Sequence, residues 1–276
     1  MSLRLMRLMM STIALTVRPP PGGAAGPVSY GERVRGRLVT AHGADAAVGV
    51  LMWVHGGGFV TGSPKLDQGL AAGYSERSGL PVFLPRYRLA PEHPFPAAAD
   101  DVLDAYLALL HEGFDPDRIR VGGISAGGTL VVGLLGDLAR DGLPMPSAAL
   151  LLSPVLDLST ASAHRCDALR PDPFCSPHFI ERANRAYVRD TPLSDSRLNL
   201  LAADMSDWPP VLVQTGGLEC LAGEAELLGA AMLGAGARCE VQIWPGQIHG
   251  FQGLGAKKVP EAKAAVEYGA QFLLSR

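Results

Sequence analysis

Ser125 stands in a Gly-x-Ser-x-Gly pattern, with Gly123 and Gly127 two positions to either side. A strand-like run over residues 118–121 comes before this pattern, and an apolar segment of helical length follows it over residues 129–135. This succession is typical of a nucleophile elbow, a turn so sharp that the serine backbone is strained and its hydroxyl stands clear of the sheet. The glycines let strand and helix pass close together because they carry no Cβ. The pattern predicts that Ser125 attacks a carbonyl carbon.

A serine nucleophile needs a base to accept its proton, and His249 is the histidine that fits this role. It lies in a glycine-flanked loop after the last predicted strand, residues 239–244. Neutral imidazole is the best side chain for proton transfer near neutral pH. We therefore expect His249 to act as the base.

The third member of such a site is a carboxylate that holds the imidazole tautomer. Glu219 lies just past the strand predicted over residues 211–215, between the serine and the histidine in sequence, which is the order that accompanies this elbow. Asp157 is an alternative acid, and Glu224 is a second one. Asp157 is expected instead to brace a loop beneath the histidine or to begin a lid.

A run of three glycines, residues 56–58, follows the buried strand predicted over residues 48–54. Glycines there allow the backbone to approach a ligand closely, and the run lies upstream of the elbow, where acyl-transfer enzymes need a second set of oxyanion donors. The N–H of Ala126 is expected to point into the space above Ser125. His55 is expected to orient the glycine loop through hydrogen bonds.

Composition narrows the classes of function. The chain has 276 residues, 47% of them apolar and 18% charged, with a net charge of −3, as expected for a compact globular protein. It contains no block of basic residues, so nucleic-acid binding is not expected. The cysteines lack the spacing of a zinc or redox motif, so we expect reduced thiols, a cytoplasmic location, and neither metal nor cofactor. They are Cys166, Cys175, Cys220 and Cys239.

The first 17 residues allow two interpretations. Two arginines followed by an apolar stretch resemble a weak secretory signal. However, Arg4, Arg7 and Ser11 fall on one helical face with apolar residues on the others, which favours an amphipathic helix lying on the domain or over a pocket. No apolar run reaches the roughly 18 residues that a membrane span needs, so no stable membrane insertion is expected.

Strands and helices alternate along most of the chain. Helices are predicted over residues 97–111, 221–233 and 262–274, and further strands over residues 33–39, 80–84 and 148–152. Such alternation predicts an α/β fold with a mainly parallel sheet covered by helices on both faces. Residues 1–22 are expected to form an N-terminal cap helix and linker, and residues 23–276 the main α/β domain that carries the candidate catalytic residues. Within it, residues 157–209 are more polar and are expected to form a helical lid, with residues 179–188 as its clearest helix.

The chain resembles the hormone-sensitive-lipase-like branch of the α/β-hydrolases, the bacterial short-chain carboxylesterases. The resemblance extends over roughly residues 53–251 and rests on five segments, residues 55–59, 87–96, 123–128, 153–157 and 249–251. It implies an α/β-hydrolase fold with a small helical cap. It also implies Ser125 as nucleophile, His249 as base and a carboxylate after the seventh strand. The implied oxyanion donors are the N–H groups of Gly57, Gly58 and Ala126.

The chain departs from this family in three places. Ile124 stands before the nucleophile, where relatives carry Asp or Thr, so one polar anchor is missing. Glu219 stands where relatives usually have Asp. The N-terminal cap is short, with one predicted helix where relatives have two.

These observations predict a cofactor-free serine carboxylesterase that acts on small acyl esters through an acyl-enzyme. Lactone or amide hydrolysis by the same residues is the alternative reaction. A catalytically silent fold that binds a small ligand is the alternative from another class. The expected partner is a small ester. The natural ester and the oligomeric state, a homodimer included, stay open from the sequence.

Overall fold

The computed structural model describes residues 3–19, 21–254 and 259–275. Within them the chain forms one sheet of eight strands. The strands are β1 (Ala24–Tyr30), β2 (Val34–Thr40), β3 (Val50–Val54), β4 (Val82–Pro85), β5 (Ile119–Ile124), β6 (Ala148–Leu152), β7 (Val211–Gly216) and β8 (Cys239–Trp244).

The order of strands across the sheet is β1-β2-β4-β3-β5-β6-β7-β8. β1 and β2 are antiparallel to their neighbours, whereas all pairs from β4 to β8 are parallel. The central strands β3, β4 and β6 are buried along their whole length, as expected for parallel strands covered on both faces. The predicted fold class is therefore confirmed, and the carboxyl ends of six parallel strands meet at one edge.

Eight α-helices are described. They are α1 (Leu3–Thr16), α2 (Gln68–Ser78), α3 (Ala97–His111), α4 (Ala126–Asp141), α5 (Ala161–Leu169), α6 (Pro177–Val188), α7 (Ala222–Gly234) and α8 (Pro260–Leu274). Apolar side chains of α2 and α8 pack on one face of the sheet, and those of α3, α4 and α7 pack on the other. None of the helices in the described ranges has both the length and the apolar character needed to cross a membrane.

Two elements were missed by the sequence patterns. β1 contains Pro27, which has no N–H to donate. The proline is tolerated because β1 is the outermost strand of the sheet and pairs only with β2. α2 contains Gly69 and Gly73 and lacks a clear apolar face, so its periodicity is weak. Both elements are stabilised mainly by tertiary contacts.

The N-terminal helix α1 forms where it was predicted, and its polar residue Arg7 is on the face that contacts the domain. Arg7 Nε donates to the Val60 carbonyl at 2.7 Å, and Nη2 donates to the Ala90 carbonyl at 2.8 Å. An ion pair with Glu92 accompanies these bonds. Ala14 is the buried residue of the helix. Apolar side chains remain exposed on its outer side, namely Leu5, Leu8, Met9, Ile13 and Leu15.

Residues 157–209 contain α5, α6 and a short 3-10 turn at Leu200–Ala202. α6 is the best amphipathic helix of this segment, with Ile180, Ala183 and Tyr187 buried. The ring of Tyr187 stacks on that of Phe59, with centroids 4.0 Å apart. We refer to residues 157–209 as the lid.

Candidate active site

Ser125 occupies the turn between β5 and α4 in a backbone conformation that non-glycine residues rarely adopt. Its φ is 56° and its ψ is −125°, and such conformations cost of order 1–3 kcal/mol and cluster at functional sites. The surrounding structure enforces the turn. The Ser125 N–H donates to the Leu152 carbonyl at 2.8 Å, and a Cβ at Gly127 would overlap the Val54 carbonyl oxygen. The glycine at 127 is therefore required by the close passage of α4 and β3.

Glu219 follows the end of β7 and is fully buried. Its Oε1 accepts a hydrogen bond from Ser153 Oγ at 2.8 Å, and it also accepts from Thr215 Oγ1 and the Gly216 N–H. Each of these three partners donates its hydrogen bond to the same carboxylate oxygen. Oε2 remains for one further partner.

That partner is His249, in the loop after β8. His249 Nδ1 lies 2.7 Å from Glu219 Oε2, and the ring is about one-tenth exposed. Because Oε2 belongs to a carboxylate, Nδ1 carries the proton and donates it, which leaves the lone pair on Nε2 free to accept a proton. The Gly250 N–H donates to Ser153 Oγ at 3.3 Å. Ser153 thus joins the acid to the loop that carries the histidine.

The structure places the histidine loop beside the elbow. A Cβ built on Gly250 would lie 3.1 Å from Ile124 Cδ1, next to Ser125 in sequence. Within the described residues, no hydrogen bond joins the Ser125 hydroxyl to the His249 ring. In ligand-free sites such bonds are often long, and they tighten when substrate binds.

The glycine loop after β3 has an unusual backbone. Gly57 has φ 123° and Gly58 has φ 60°, both in the left-handed region that favours glycine. The carbonyl of Gly57 accepts the N–H groups of Val60 and Thr61, which closes the turn. In the part of the chain that the structure describes, the N–H groups of Gly57 and Gly58 donate to no other protein atom. Both are therefore available to a ligand.

This loop lies directly against Ser125. A Cβ on Gly56 would lie 3.4 Å from Ser125 Cβ. Ala126 is fully buried and is the first residue of α4, where the N–H groups have no acceptor within the helix and the dipole favours negative charge. The glycine loop therefore contacts Ser125 at Gly56, and Ala126 follows Ser125 directly at the start of α4.

His55 supports the loop from below, as its position suggested. Its Nδ1 lies 2.8 Å from the Gly56 carbonyl, and its ring stacks on Tyr87 with centroids 4.1 Å apart. Burial lowers the pKa of His55 to about 4, so the ring is neutral at neutral pH. The Tyr87 hydroxyl donates to the His55 carbonyl at 2.9 Å.

The two alternative acids lie elsewhere. Asp157 accepts hydrogen bonds from the N–H groups of Ser159 and Ser162 at 3.0 and 2.8 Å, so it begins the lid. Glu224 is fully buried, and its Oε2 accepts the N–H groups of Leu156 and Asp157 at 2.5 and 2.9 Å. Burial raises the pKa of Glu224 to about 7. Within the described residues, neither is hydrogen-bonded to His249.

Three supporting residues escaped the sequence analysis as contributors to the site. Ser153 and Thr215 are hydroxyl residues at the ends of the adjacent strands β6 and β7, a position that could have marked them. Asp67 accepts a hydrogen bond from Trp53 Nε1 at 3.2 Å. Burial raises the pKa of Asp67 to about 6, while the bonds from Trp53 and the Gly56 N–H act in the opposite direction. Asp67 therefore braces the start of the glycine loop.

Ile124 fills the position where a polar residue was expected. Its Cγ2 lies 3.3 Å from where a Gly56 Cβ would be, and its Cδ1 contacts the position of Gly250 in the same way. The side chain therefore separates the glycine loop from the histidine loop by apolar packing. At this position the apolar side chain of Ile124 packs between the two loops, where the family resemblance led us to expect a polar side chain.

Comparison with known proteins agrees with this geometry. A family model described as the α/β-hydrolase fold matches residues 51–253. The solved structure of an esterase from the bacterial hormone-sensitive lipase family superposes with a TM-score of 0.92 at 30% identity. That match covers 100% of this chain and 92% of the esterase.

Sequence relatives give the same picture. An acetyl-hydrolase of Streptomyces hygroscopicus is 32% identical over 81% of this chain and 74% of its own length. An esterase of Acinetobacter venetianus is 32% identical over 88% of this chain and 79% of its own length. Both matches extend well beyond the elbow motif.

Proposed function

This chain belongs to the α/β-hydrolase family, in its hormone-sensitive-lipase-like branch, and we propose that it is a serine carboxylesterase acting on short-chain acyl esters. The observation that carries the proposal is the 2.7 Å hydrogen bond between Glu219 and His249 at the sheet edge, beside the strained turn at Ser125. The bond leaves Nε2 of the imidazole as the acceptor that a serine hydrolase requires.

In the first half of the reaction, Ser125 Oγ attacks the ester carbonyl carbon while His249 Nε2 takes the hydroxyl proton. The carbonyl oxygen becomes an oxyanion that accepts hydrogen bonds from the N–H groups of Gly57, Gly58 and Ala126. One such donor contributes about 10²- to 10³-fold in kcat. The bond to the alcohol then breaks, and His249 returns the proton to the alcohol oxygen, which leaves an acyl group on Ser125.

In the second half, His249 takes a proton from water as the water oxygen attacks the acyl carbon. Collapse of the intermediate releases the carboxylic acid and restores the serine hydroxyl. Glu219 stabilises the imidazolium that forms in both halves. The chemistry uses side chains and water and requires no cofactor.

The preference for short acyl groups is supported by the surface near the donors. The Phe179 ring and the Ala183 methyl group of α6 lie 3.5 and 3.1 Å from where a Gly58 Cβ would be. An apolar wall therefore stands close to the reacting carbonyl and favours small apolar acyl chains. The Streptomyces relative is named an acetyl-hydrolase, which agrees with a short acyl group.

The cellular compartment and the binding partners are predicted from features outside the candidate site. All four cysteines are free thiols, which supports a reducing compartment such as the cytoplasm. A small ester is the proposed partner. A homodimer, the lack of nucleic-acid binding and the lack of stable membrane insertion stay predictions from the sequence.

The test is covalent labelling with a fluorophosphonate, followed by mass spectrometry of the labelled peptide. We expect one label, on Ser125, together with turnover of p-nitrophenyl acetate and butyrate. A silent ligand-binding protein would show neither. Lactones and anilides tested in parallel separate ester hydrolysis from the related reactions.

A further inference from the structure

We propose that His164, His178 and Glu181 form a binding site for a late first-row divalent cation such as Zn²⁺, which ties the two lid helices together. His164 lies on α5, while His178 and Glu181 lie three residues apart on α6 and therefore share one face of that helix. One potential ligand atom from each residue lies within 4.8 Å of the other two. The spacing of cysteines in the sequence could not indicate this site, because its ligands are imidazoles and a carboxylate from separate helices.

The distances suit a tetrahedral cation after a small adjustment. His164 Nε2 lies 3.4 Å from Glu181 Oε2, and His178 Nδ1 lies 4.0 Å from the same oxygen. Ligand atoms at the usual zinc distances are about 3.3 Å apart in a tetrahedron. The His178 side chain is 82% exposed, so its ring is free to rotate towards the cation. Three protein ligands leave the fourth position to water.

Glu181 divides its two oxygens between different partners. Oε1 pairs with Arg185 Nη2 at 3.1 Å, which leaves Oε2 facing both histidines. The rings of His164 and His178 meet edge to face with centroids 5.1 Å apart. Two imidazole nitrogens around one carboxylate oxygen provide the nitrogen and oxygen ligands that Zn²⁺ accepts.

Two features oppose the cation. Arg185 places a positive charge near the carboxylate, and the amino end of α6 directs its dipole against a cation near His178. We therefore expect weaker binding than at a closed structural zinc site with four protein ligands.

The position of the cluster gives the cation an effect on the lid. α6 carries Phe179 and Ala183, whose side chains lie against Gly58. A cation on the outer side of the helix would hold α5 and α6 at one separation and so restrict the wall beside the glycine loop. The expected signature is slower amide hydrogen exchange over residues 161–188 when the cation is bound.

The experiment is calorimetric titration of the chelator-treated full chain with ZnCl₂, together with thermal unfolding. We expect one site, and a rise in Tm with Zn²⁺ because the cation binds only the folded arrangement. His164→Ala and His178→Ala should each lower the affinity by about tenfold or more, since loss of even an outer-shell partner costs 10- to 100-fold. His42→Ala is the control, because this exposed histidine follows β2 at the opposite end of the sheet.

His178→Ala keeps the test informative if His164→Ala fails to fold, because His178 is largely exposed. Binding that is equally strong in His178→Ala and wild type would overturn the proposal, as would no heat of binding in the wild type. Titration with Co²⁺ examines the ligand type. Sulfur-to-cobalt charge-transfer absorption would assign the cation to a cysteine, such as Cys166 on α5, and would refute the proposed ligands.

Discussion

The loops at the carboxyl ends of the parallel strands, called the edge below, are held by different interactions from the helices that lie over them. These helices are α1 and those of the lid, and we refer to them together as the cover. At the edge, Glu219 is fully buried and makes four hydrogen bonds, each to a group fixed by a strand end or by the next loop. In the cover, Arg7 of α1 makes bonds to two carbonyl oxygens and one exposed carboxylate. Buried charge-assisted hydrogen bonds fix geometry more strongly than exposed ion pairs do.

We expect this difference to separate the residues that set the rate from those that set the preference among esters. The residues at the edge are held by hydrogen bonds that share the same groups, such as Glu219 and Ser153. We therefore expect substitutions there to change kcat for every ester. The cover contacts the edge through a few side chains and apolar packing. Changes in the cover should therefore alter which esters are preferred more than how fast the chemistry proceeds.

The largest expected effect is at Ser125, the proposed nucleophile. Ser125→Ala removes the attacking oxygen and should lower kcat by about 10⁶-fold, as in other serine hydrolases. The fold should survive, because alanine leaves the backbone hydrogen bond of residue 125 in place. Turnover of p-nitrophenyl butyrate measures the loss of activity, and circular dichroism measures whether the fold survives. Substantial remaining turnover would assign the chemistry to another residue.

The next effect compares the acid at the edge with the acid that begins the lid. In Glu219→Gln, the amide oxygen would take the place of Oε1 among its three donors, and the amide nitrogen would then face His249 Nδ1. The imidazole would shift its proton to Nε2, the wrong tautomer for a base, at a cost of about 10⁴-fold in kcat. Asp157→Asn is the matched control and should cost far less. The reverse order of the two effects would make Asp157 the triad acid.

The third prediction concerns Glu224, whose carboxylate joins the first turn of α7 to the start of the lid. Its pKa is about 7 in the folded protein against an ordinary 4.5, so the folded state holds this proton more tightly than the unfolded state. The wild type therefore loses stability as pH rises through this range, and Glu224→Gln does not. Relative to wild type, the variant's free energy of unfolding should rise by up to about 3 kcal/mol from about pH 4.5 to 8.

Denaturant unfolding at several pH values measures this difference, with Glu226→Gln as the control. Glu226 lies on the same helix, and its side chain is exposed. A difference between Glu224→Gln and wild type that stays constant with pH would show that Glu224 does not titrate in this range.

The smallest effect is expected in the cover. Removal of residues 1–17 deletes α1, of which only Ala14 is buried among its described residues, so turnover of acetyl esters should change little. We expect kcat/KM to rise from acetyl to about butyryl or hexanoyl esters in the full chain, then to fall, with little activity on emulsified long-chain fats. Each buried methylene contributes up to about 0.8 kcal/mol, roughly fourfold in kcat/KM.

Truncation should flatten this profile, and Arg7→Ala should do so in part. The measurement is kcat/KM over a series of p-nitrophenyl esters. An unchanged profile in the truncated protein would show that α1 does not line the acyl pocket.

Much of the sheet edge could be predicted because its determinants are local. β6, β8 and α3 have the bounds that their apolar patterns gave. Glu219 and His249 were selected by their places after strand ends and by their order along the chain. These signals depend on residues close in sequence.

The remaining features depend on contacts between distant segments. The role of Ser153 requires the register of β6 against β7, which brings its hydroxyl to a carboxylate 66 residues away. The docking face of α1 could not be predicted, because Arg7 bonds to carbonyl oxygens 53 and 83 residues later. Hydrophobic periodicity predicts which face of a helix is apolar. It does not predict where the carbonyl oxygens of distant loops will lie.

The order of the site along the chain has a consequence during synthesis. Ser125 and the glycine loop belong to the first half of the chain, whereas His249 follows β8, the last strand to be made. At ordinary rates of translation, roughly ten seconds separate the serine from the histidine. A nascent or prematurely terminated chain that stops before His249 carries the proposed nucleophile, Ser125, without the proposed base. We therefore expect no ester hydrolysis by this chain until its synthesis is nearly complete.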